Sequence, residues 1–335
     1  MSASEPFVSV VTPFYNTEPF LPECIESVLA QSYSNFEYVL IDNHSKDRSY
    51  EVALEYAKRD ARVRVIRTPE FYNQVQNYNF ALEQLRPDSR YVKMVQADDW
   101  IFPRCLTEMV ALAEASPNVG VVSSYELRDT EVIGTGLKPS EKVLSGRDAC
   151  RLFLLDAICM FGSPTTVMFR SDVVRNRRPF YEQGRPHEDT EAVFEVLSSC
   201  DFGFVHQVLS YTRVRADSIS GAWSDYTPAA FDRLLLIKRY GERFLTPGEF
   251  ERALRSAERW VYGTIARQWL RERFGAPRPD FWAHQKRVLD LSGESLEPGR
   301  MALHVGAAVL KEALLAPPRV VARMLRRDGG DPRSA

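Results

Sequence analysis

With 335 residues, a 44% hydrophobic share and 26% charged residues, the chain can form one large folded domain with an appendage, or two domains. A net charge of -2 excludes nucleic acid as the main partner, because neutralising phosphates needs a clear basic excess. Five scattered cysteines without a C-x-x-C pair predict reduced, mostly buried thiols in a cytoplasmic protein and argue against zinc. The first residues lack the pattern of a secretory signal, and no run reaches the ~18 apolar residues of a membrane span.

Taken in chain order, Phe7 to Thr12 is an apolar, β-branched run that predicts a buried strand, broken by Pro13 to Thr17. Glu18 to Gln31 carries Leu21, Ile25, Val28 and Leu29 at helical spacing. Phe36 to Ile41 predicts a second strand, closed by Asp42-Asn43-His44-Ser45. A helix over 47–59, a strand over 63–66, a helix over 75–85 and a strand over 91–95 follow, the last ending at Asp98-Asp99 before a helix over 103–115. Strand and helix alternate with short connections, which predicts an α/β fold with a mainly parallel sheet flanked by helices.

After Asn118 the rhythm changes. Strands are expected over 119–123, 165–169 and 202–214, helices over 146–156 and 189–199, and an irregular or antiparallel excursion over 125–138. From Pro228 the pattern is helical and arginine-rich, with breaks at Thr246-Pro247, Gly275-Pro277 and Pro298-Gly299. The expected organisation is a nucleotide-binding domain over 1–224, a helical C-terminal region over 225–327 and a disordered tail over 328–335.

In an open α/β sheet, ligands bind at the carboxyl ends of the strands. Three polar clusters fall there: Thr12-Pro13-Phe14-Tyr15-Asn16, Asp42-Asn43 and Asp98-Asp99. Adjacent carboxylates repel one another unless a cation or strong donors compensate. A magnesium or manganese ion held by one or two carboxylates and completed by phosphates answers that need; capping of the next helix is the plainer role for the pair. Asp42 is suited to a base or ribose, or to an Asx-turn, and both can hold at once. Asp189, with Glu188 before it, opens a helix, where it either caps the backbone or serves as a general base. No glycine-rich dinucleotide fingerprint and no phosphate-loop lysine motif is present.

The stretch Val8 to Asn16, then Leu21 to Gln31, Phe36 to Asp47 and Gln96-Ala97-Asp98-Asp99, closely resembles the family-2 glycosyltransferases of GT-A fold, over about Phe7 to Gly221. The resemblance implies an inverting transferase that uses a nucleotide-diphosphate sugar and manganese or magnesium, in bacterial polysaccharide or glycolipid synthesis. By position it implies donor contacts from Thr12, Pro13, Tyr15, Asn16, Asp42, Asn77, Gln96, Asp98 and Arg213. It further implies a metal on Asp99 with Asp98, and Asp189 as the base with Glu188 beside it. Asn43 and His44 stand where the family commonly has aspartate and glycine, Gln96 where it has an acid, and Arg215 where a histidine is common. A degenerate, non-catalytic nucleotide binder or scaffold of the same fold is the alternative these departures favour.

The segment 218–224, with Gly221 and Trp223, is the expected lid, and Trp100 is expected to pack in the core rather than on a sugar ring. Met301 to Ala316 shows Leu303, Ala307, Leu310 and Leu314 on one face, before a basic run over 319–327. Packing on the catalytic domain or on a second copy of the chain is favoured over contact with the inner face of a membrane, which would fit a lipid-linked rather than a free glycan acceptor.

Overall fold

The computed structural model describes residues 5–156, 158–184, 187–214, 229–274, 279–292, 295 and 297–315. The expected lid over 218–224, Arg215, the basic run after Ala316 and the tail lie outside these residues. Contacts divide the chain into two compact units, Met1–Gly221 and Ala222–Ala335.

The first unit is built on a ten-stranded sheet. Its strands are β1 (Val8–Phe14), β2 (Phe36–Asp42), β3 (Val63–Arg67), β4 (Tyr91–Met94), β5 (Trp100–Ile101), β6 (Val119–Arg128), β7 (Glu131–Ile133), β8 (Val143–Leu144), β9 (Met168–Arg170) and β10 (Asp201–Thr212). The spatial order is β3-β2-β1-β4-β9-β6-β10-β5, with β7 on β6 and β8 on β10. The pairs β3-β2, β2-β1 and β1-β4 are parallel, as is β6-β10. Short β9 runs antiparallel between β4 and β6. The expected α/β architecture is therefore present, with β9 as the antiparallel splice joining the two parallel groups.

The helices are α1 (Leu21–Leu29), α2 (Ser49–Arg59), α3 (Gln74–Glu83), α4 (Cys105–Ala115), α5 (Gly146–Asp156), α6 (Ser171–Arg175) and α7 (Glu188–Val196). α1 buries Leu21, Cys24, Ile25 and Val28, one face at helical spacing. α3 starts on a capping box in which Asn73 and Gln76 satisfy each other's backbone amides. β1 and β2 are buried along their whole length, as central parallel strands covered on both sides must be. β6 runs on to Arg128, past the expected end at Ser123. Its polar Ser123, Ser124 and Glu126 are buried, so the sequence pattern hides the continuation.

The second unit consists, among the described residues, of helices Ala229–Phe244, Pro247–Phe274, Pro279–Ser292 and Pro298–Leu315; the break expected at Gly275-Pro277 lies outside the described residues. Leu303 and Leu310 are 74% and 62% exposed.

One close approach in the first unit bears on function. Gly146, first residue of α5, lies against the backbone carbonyls of Leu197 and Cys200, where α7 ends, so closely that a Cβ would overlap both. Gly146→Ala is expected to cost about 2 kcal/mol or more, since neither partner is a flexible side chain. A thermal denaturation midpoint equal to that of the unsubstituted protein would contradict this packing.

Candidate functional site

The carboxyl edge of the parallel strands gathers the polar clusters. Phe14, Asp42 and Arg67 stand in register at the ends of β1, β2 and β3. On the other side of β1, Val11 pairs with Met94, and β4 runs out into Gln96-Ala97-Asp98-Asp99. Asp42 and the Asp98-Asp99 pair thus flank the tip of β1 on adjacent strands.

Asp42 is fully buried. One carboxylate oxygen accepts the Ser45 amide at 3.0 Å and the other accepts Arg67 Nε at 2.6 Å. The turn role and an ion pair with Arg67 therefore coexist on one side chain. Asn16, at φ 52°, donates its amide to Ser45 Oγ at 3.1 Å, and its Oδ1 accepts the Lys46 amide at 2.7 Å. That fastens the tip of β1 to the tip of β2. Pro13, buried in β1, pairs with Ile41. Tyr15 is half-buried and meets Phe71 edge-on at 5.0 Å. Thr12 lies inside the sheet, its hydroxyl 2.9 Å from Tyr38 Oη, and exposes no surface at the rim.

Asp99 is 2% exposed, and three donors from two segments of the chain fix its carboxylate. Because β9 runs antiparallel to β4, the segment before it brings Thr165 beside the Asp98-Asp99 turn. Thr165 Oγ1 donates to Asp99 Oδ2 at 2.6 Å and accepts the Gln96 amide at 3.0 Å. β10 pairs antiparallel with β5 and so delivers the residues after Tyr211. The Thr212 hydroxyl donates to Asp99 Oδ2 at 3.4 Å and the Arg213 amide to Asp99 Oδ1 at 3.1 Å. Beneath this knot Lys93 is fully buried, its Nζ donating to the Thr165 carbonyl and, at 3.1 Å, to that of Val167. Burial, the largest influence, and then the charge of Asp98 push the Asp99 carboxyl up to about 7. Asp98 itself is partly exposed.

Arg213 folds back over this turn. Its Nε donates to the Asp98 carbonyl at 3.2 Å, Nη2 donates to Glu23 at 2.6 Å, and the guanidinium lies over Phe20 and Trp100. Trp100 is stacked on Tyr211 at 3.6 Å and is only partly buried, so it packs against protein at the margin rather than in the core where it was expected. Thr12 and Arg213 thus place these polar atoms on protein partners. Thr165, Thr212 and Lys93 were not expected at all; only the polar break of Ser163-Pro164-Thr165-Thr166 before a strand hints at the first.

α3 links the two halves of the site. The Tyr78 hydroxyl accepts from Gln96 Nε2 at 2.9 Å and from Gln74 Nε2 at 2.7 Å. Burial raises the Tyr78 hydroxyl's pKa most, and the charges of Glu188 and Asp98 both add to it, so the two acidic pairs act on one buried group. Asn79 clasps the backbone of Tyr181 with both arms of its amide, at 2.8 and 2.9 Å, and so holds the segment that leads towards α7. Asn77 is 5% exposed, and its Oδ1 is buried without a hydrogen-bond partner. A buried acceptor in that condition is uncommon in a folded chain. Glu188 and Asp189 form the first turn of α7, which buries Val193 and Val196 with Leu197 just beyond, the expected stripe.

The match to the glycosyl transferase family 2 model covers residues 9–178, and the chain belongs to that family. Among curated relatives, the uncharacterized glycosyltransferase EpsJ of Bacillus subtilis is 54% identical over 61 residues, 18% of each chain. An uncharacterized glycosyltransferase of Haemophilus influenzae is 28% identical over 217 residues, 64% of this chain and 82% of its own. The chain spans 44% of the putative glycosyltransferase EpsE of Bacillus subtilis, at 34% identity over 135 residues.

Two solved structures share the fold at low identity. TarS 1–349 of S. aureus, in complex with UDP-GlcNAc, has a TM-score of 0.57 and 15% identity over 85% of this chain and 79% of its own. The mannosyltransferase PcManGT of Pyrobaculum calidifontis, in complex with GDP-Man and Mn2+, has a TM-score of 0.55 and 17% identity over 96% and 84%.

The Glu188 carboxyl is pushed up from 4.5 to about 7, by burial first and by Asp189 second. The folded chain therefore holds a proton there that the unfolded chain gives up. This stabilises the fold most below the unfolded value, and the benefit is lost as pH rises through the folded one. Glu188→Gln, which cannot ionise, is expected to gain in melting temperature relative to the parent as pH is raised from about 5 to about 8. A difference independent of pH would contradict the environment described for Glu188.

Proposed function

We propose that the chain transfers a sugar from a nucleotide-diphosphate sugar to an acceptor hydroxyl with inversion at the anomeric carbon. The observation that carries this reading is the placement of Asp42 and Asp98-Asp99 on either side of the tip of β1. The nucleoside end of the donor lies at Asp42 and Tyr15, the diphosphate at Asp98, and the acceptor at the N-terminal turn of α7. The buried, unpartnered Asn77 Oδ1 accepts from a donor hydroxyl.

The acidic pair suits a divalent ion. Two neighbouring carboxylates, one of them buried and raised by the other, lose their mutual repulsion when a dication is present. Among the described residues no three His, Cys, Asp or Glu side chains are grouped to cage a metal. Magnesium or manganese needs no such cage where phosphates complete the shell. Asp98, the less buried, is the direct ligand, with Asp99 behind it. Manganese or magnesium, when bound, supplies positive charge at the departing diphosphate.

The rest is done by the chain. Asp189 accepts the acceptor's proton while that oxygen attacks the anomeric carbon, and the carbon–oxygen bond to the diphosphate breaks on the opposite face. Glu188, held partly protonated near neutrality, spares the turn a second full charge beside the base.

The relatives and fold neighbours narrow the chemistry. TarS is seen with UDP-GlcNAc and PcManGT with GDP-Man and Mn2+, while a relative 34% identical over 99 residues is a putative teichuronic acid biosynthesis glycosyltransferase of Bacillus subtilis, TuaG. We therefore place the reaction in bacterial polysaccharide or glycolipid synthesis, on the cytoplasmic side, with a glycan or lipid-linked acceptor. No helix among the described residues is long and apolar enough to cross a membrane.

Donor hydrolysis and transfer, measured across UDP-, GDP- and dTDP-sugars with manganese or magnesium, tests the proposal. Asp189→Asn is expected to lower turnover by about 100-fold while donor affinity is kept. Asp98→Asn is expected to abolish metal-dependent donor binding. Full turnover in Asp189→Asn would remove that residue as the base, and donor binding unaffected by metal would remove the acidic pair as its seat.

A further inference from the structure

The loop after β3 is fastened at both ends by residues from the turn after β2. At its start, the Thr68 amide donates to the Asp42 carbonyl at 3.0 Å, and the Thr68 carbonyl lies 2.9 Å from Nε2 of His44, whose φ is 61°. At its end, buried Asn43 grips the backbone of Tyr72 twice: Oδ1 accepts the Tyr72 amide at 2.9 Å, and Nδ2 donates to the Tyr72 carbonyl at 2.8 Å. Only an amide side chain can make both bonds, because a carboxylate has no donor to offer the carbonyl. The chain then passes straight into the capping box of α3.

What this clamped loop presents is Phe71. The ring is 59% exposed and touches Tyr15 edge-on at 67° between planes. Tyr15 immediately follows β1, and the loop begins just after Arg67, the partner of Asp42. An aromatic side chain held open by backbone clamps at the carboxyl edge of the sheet is suited to stack on a planar base, and such stacking tolerates any base.

We infer that Phe71, braced by Tyr15, is a stacking contact for the nucleobase of the donor, and that Asn43 and His44 are positioning residues that hold it there. The inference rests on the nucleotide-sugar reading above and adds to it a residue outside the four segments that carry the family resemblance.

The test uses the full chain with manganese and titration calorimetry against UDP, GDP and dTDP, with inorganic pyrophosphate as the ligand that lacks a base. Phe71→Ala is expected to weaken the best-bound nucleoside diphosphate about tenfold and leave pyrophosphate affinity unchanged. Phe71→Trp is expected to restore nucleotide affinity, whereas Asn43→Asp is expected to weaken it about threefold through loss of one clamp. Equal nucleotide affinity in Phe71→Ala and the parent overturns the stacking contact and leaves the donor reading standing. Equal losses for nucleotide and pyrophosphate overturn it as well, because they reduce Phe71 to a prop for the loop. A parent protein that binds no nucleoside diphosphate overturns the donor reading itself.

Discussion

The buried carboxylate of Asp99 is the constraint around which the site is arranged. Taking a charged group out of water is costly unless donors surround it, and here three come from two segments: Thr165 ahead of β9, and Thr212 and Arg213 at the end of β10. Those segments are far apart in sequence and meet only if β9 runs antiparallel beside β4 and β10 returns against β5. Satisfying one side chain therefore fixes the splice between the two parallel halves of the sheet. It also fixes the turn on which Asp98 stands.

Lys93 extends the same logic beneath the surface. Burial lowers its pKa, and its amine is placed on the carbonyls of Thr165 and Val167 rather than on a carboxylate. The lysine thus ties the Thr165 segment to β4 from below, while the Thr165 hydroxyl ties it to Asp99 from above. On the far side of the site α3 plays the corresponding part, with Tyr78 bound to Gln96 and Asn79 clasping Tyr181. The acidic groups are held by side chains that are themselves hydrogen-bonded, Thr165, Tyr78 and Asn79 among them, which keeps the rim rigid.

Much of this was legible in the chain's pattern. The buried runs of β1, β2 and β4, the helical stripe of α1 and the polar tips at Asp42 and Asp98 follow from periodicity and from the rule that ligands lie at carboxyl strand ends. The three-residue β9 offers too short a pattern to reveal its direction, so the meeting of Thr165 with Asp99 was hidden. Burial decided the rest. Of the two adjacent aspartates, one is enclosed and one partly exposed, a difference invisible in the sequence. The bonds of Arg213 to the Asp98 carbonyl and Glu23 span long sequence separations that no local pattern reveals. Asn43, His44 and Gln96, which departed from the family pattern, prove to be structurally committed: Asn43 and Gln96 use amide donors that an acid would lack, and the His44 ring reaches the Thr68 carbonyl.

The central claim is that one rim, spanning the tips of β2, β1 and β4, receives both ends of a nucleoside diphosphate. Crystals grown with manganese and a bound nucleoside diphosphate, measured at an energy where manganese scatters anomalously, test it most directly. The account requires a single strong anomalous peak beside the Asp98 carboxylate, phosphate oxygens next to it, and the base at the Asp42 end. A manganese peak away from the Asp98-Asp99 turn, or a nucleotide bound off the carboxyl edge of the sheet, would contradict it.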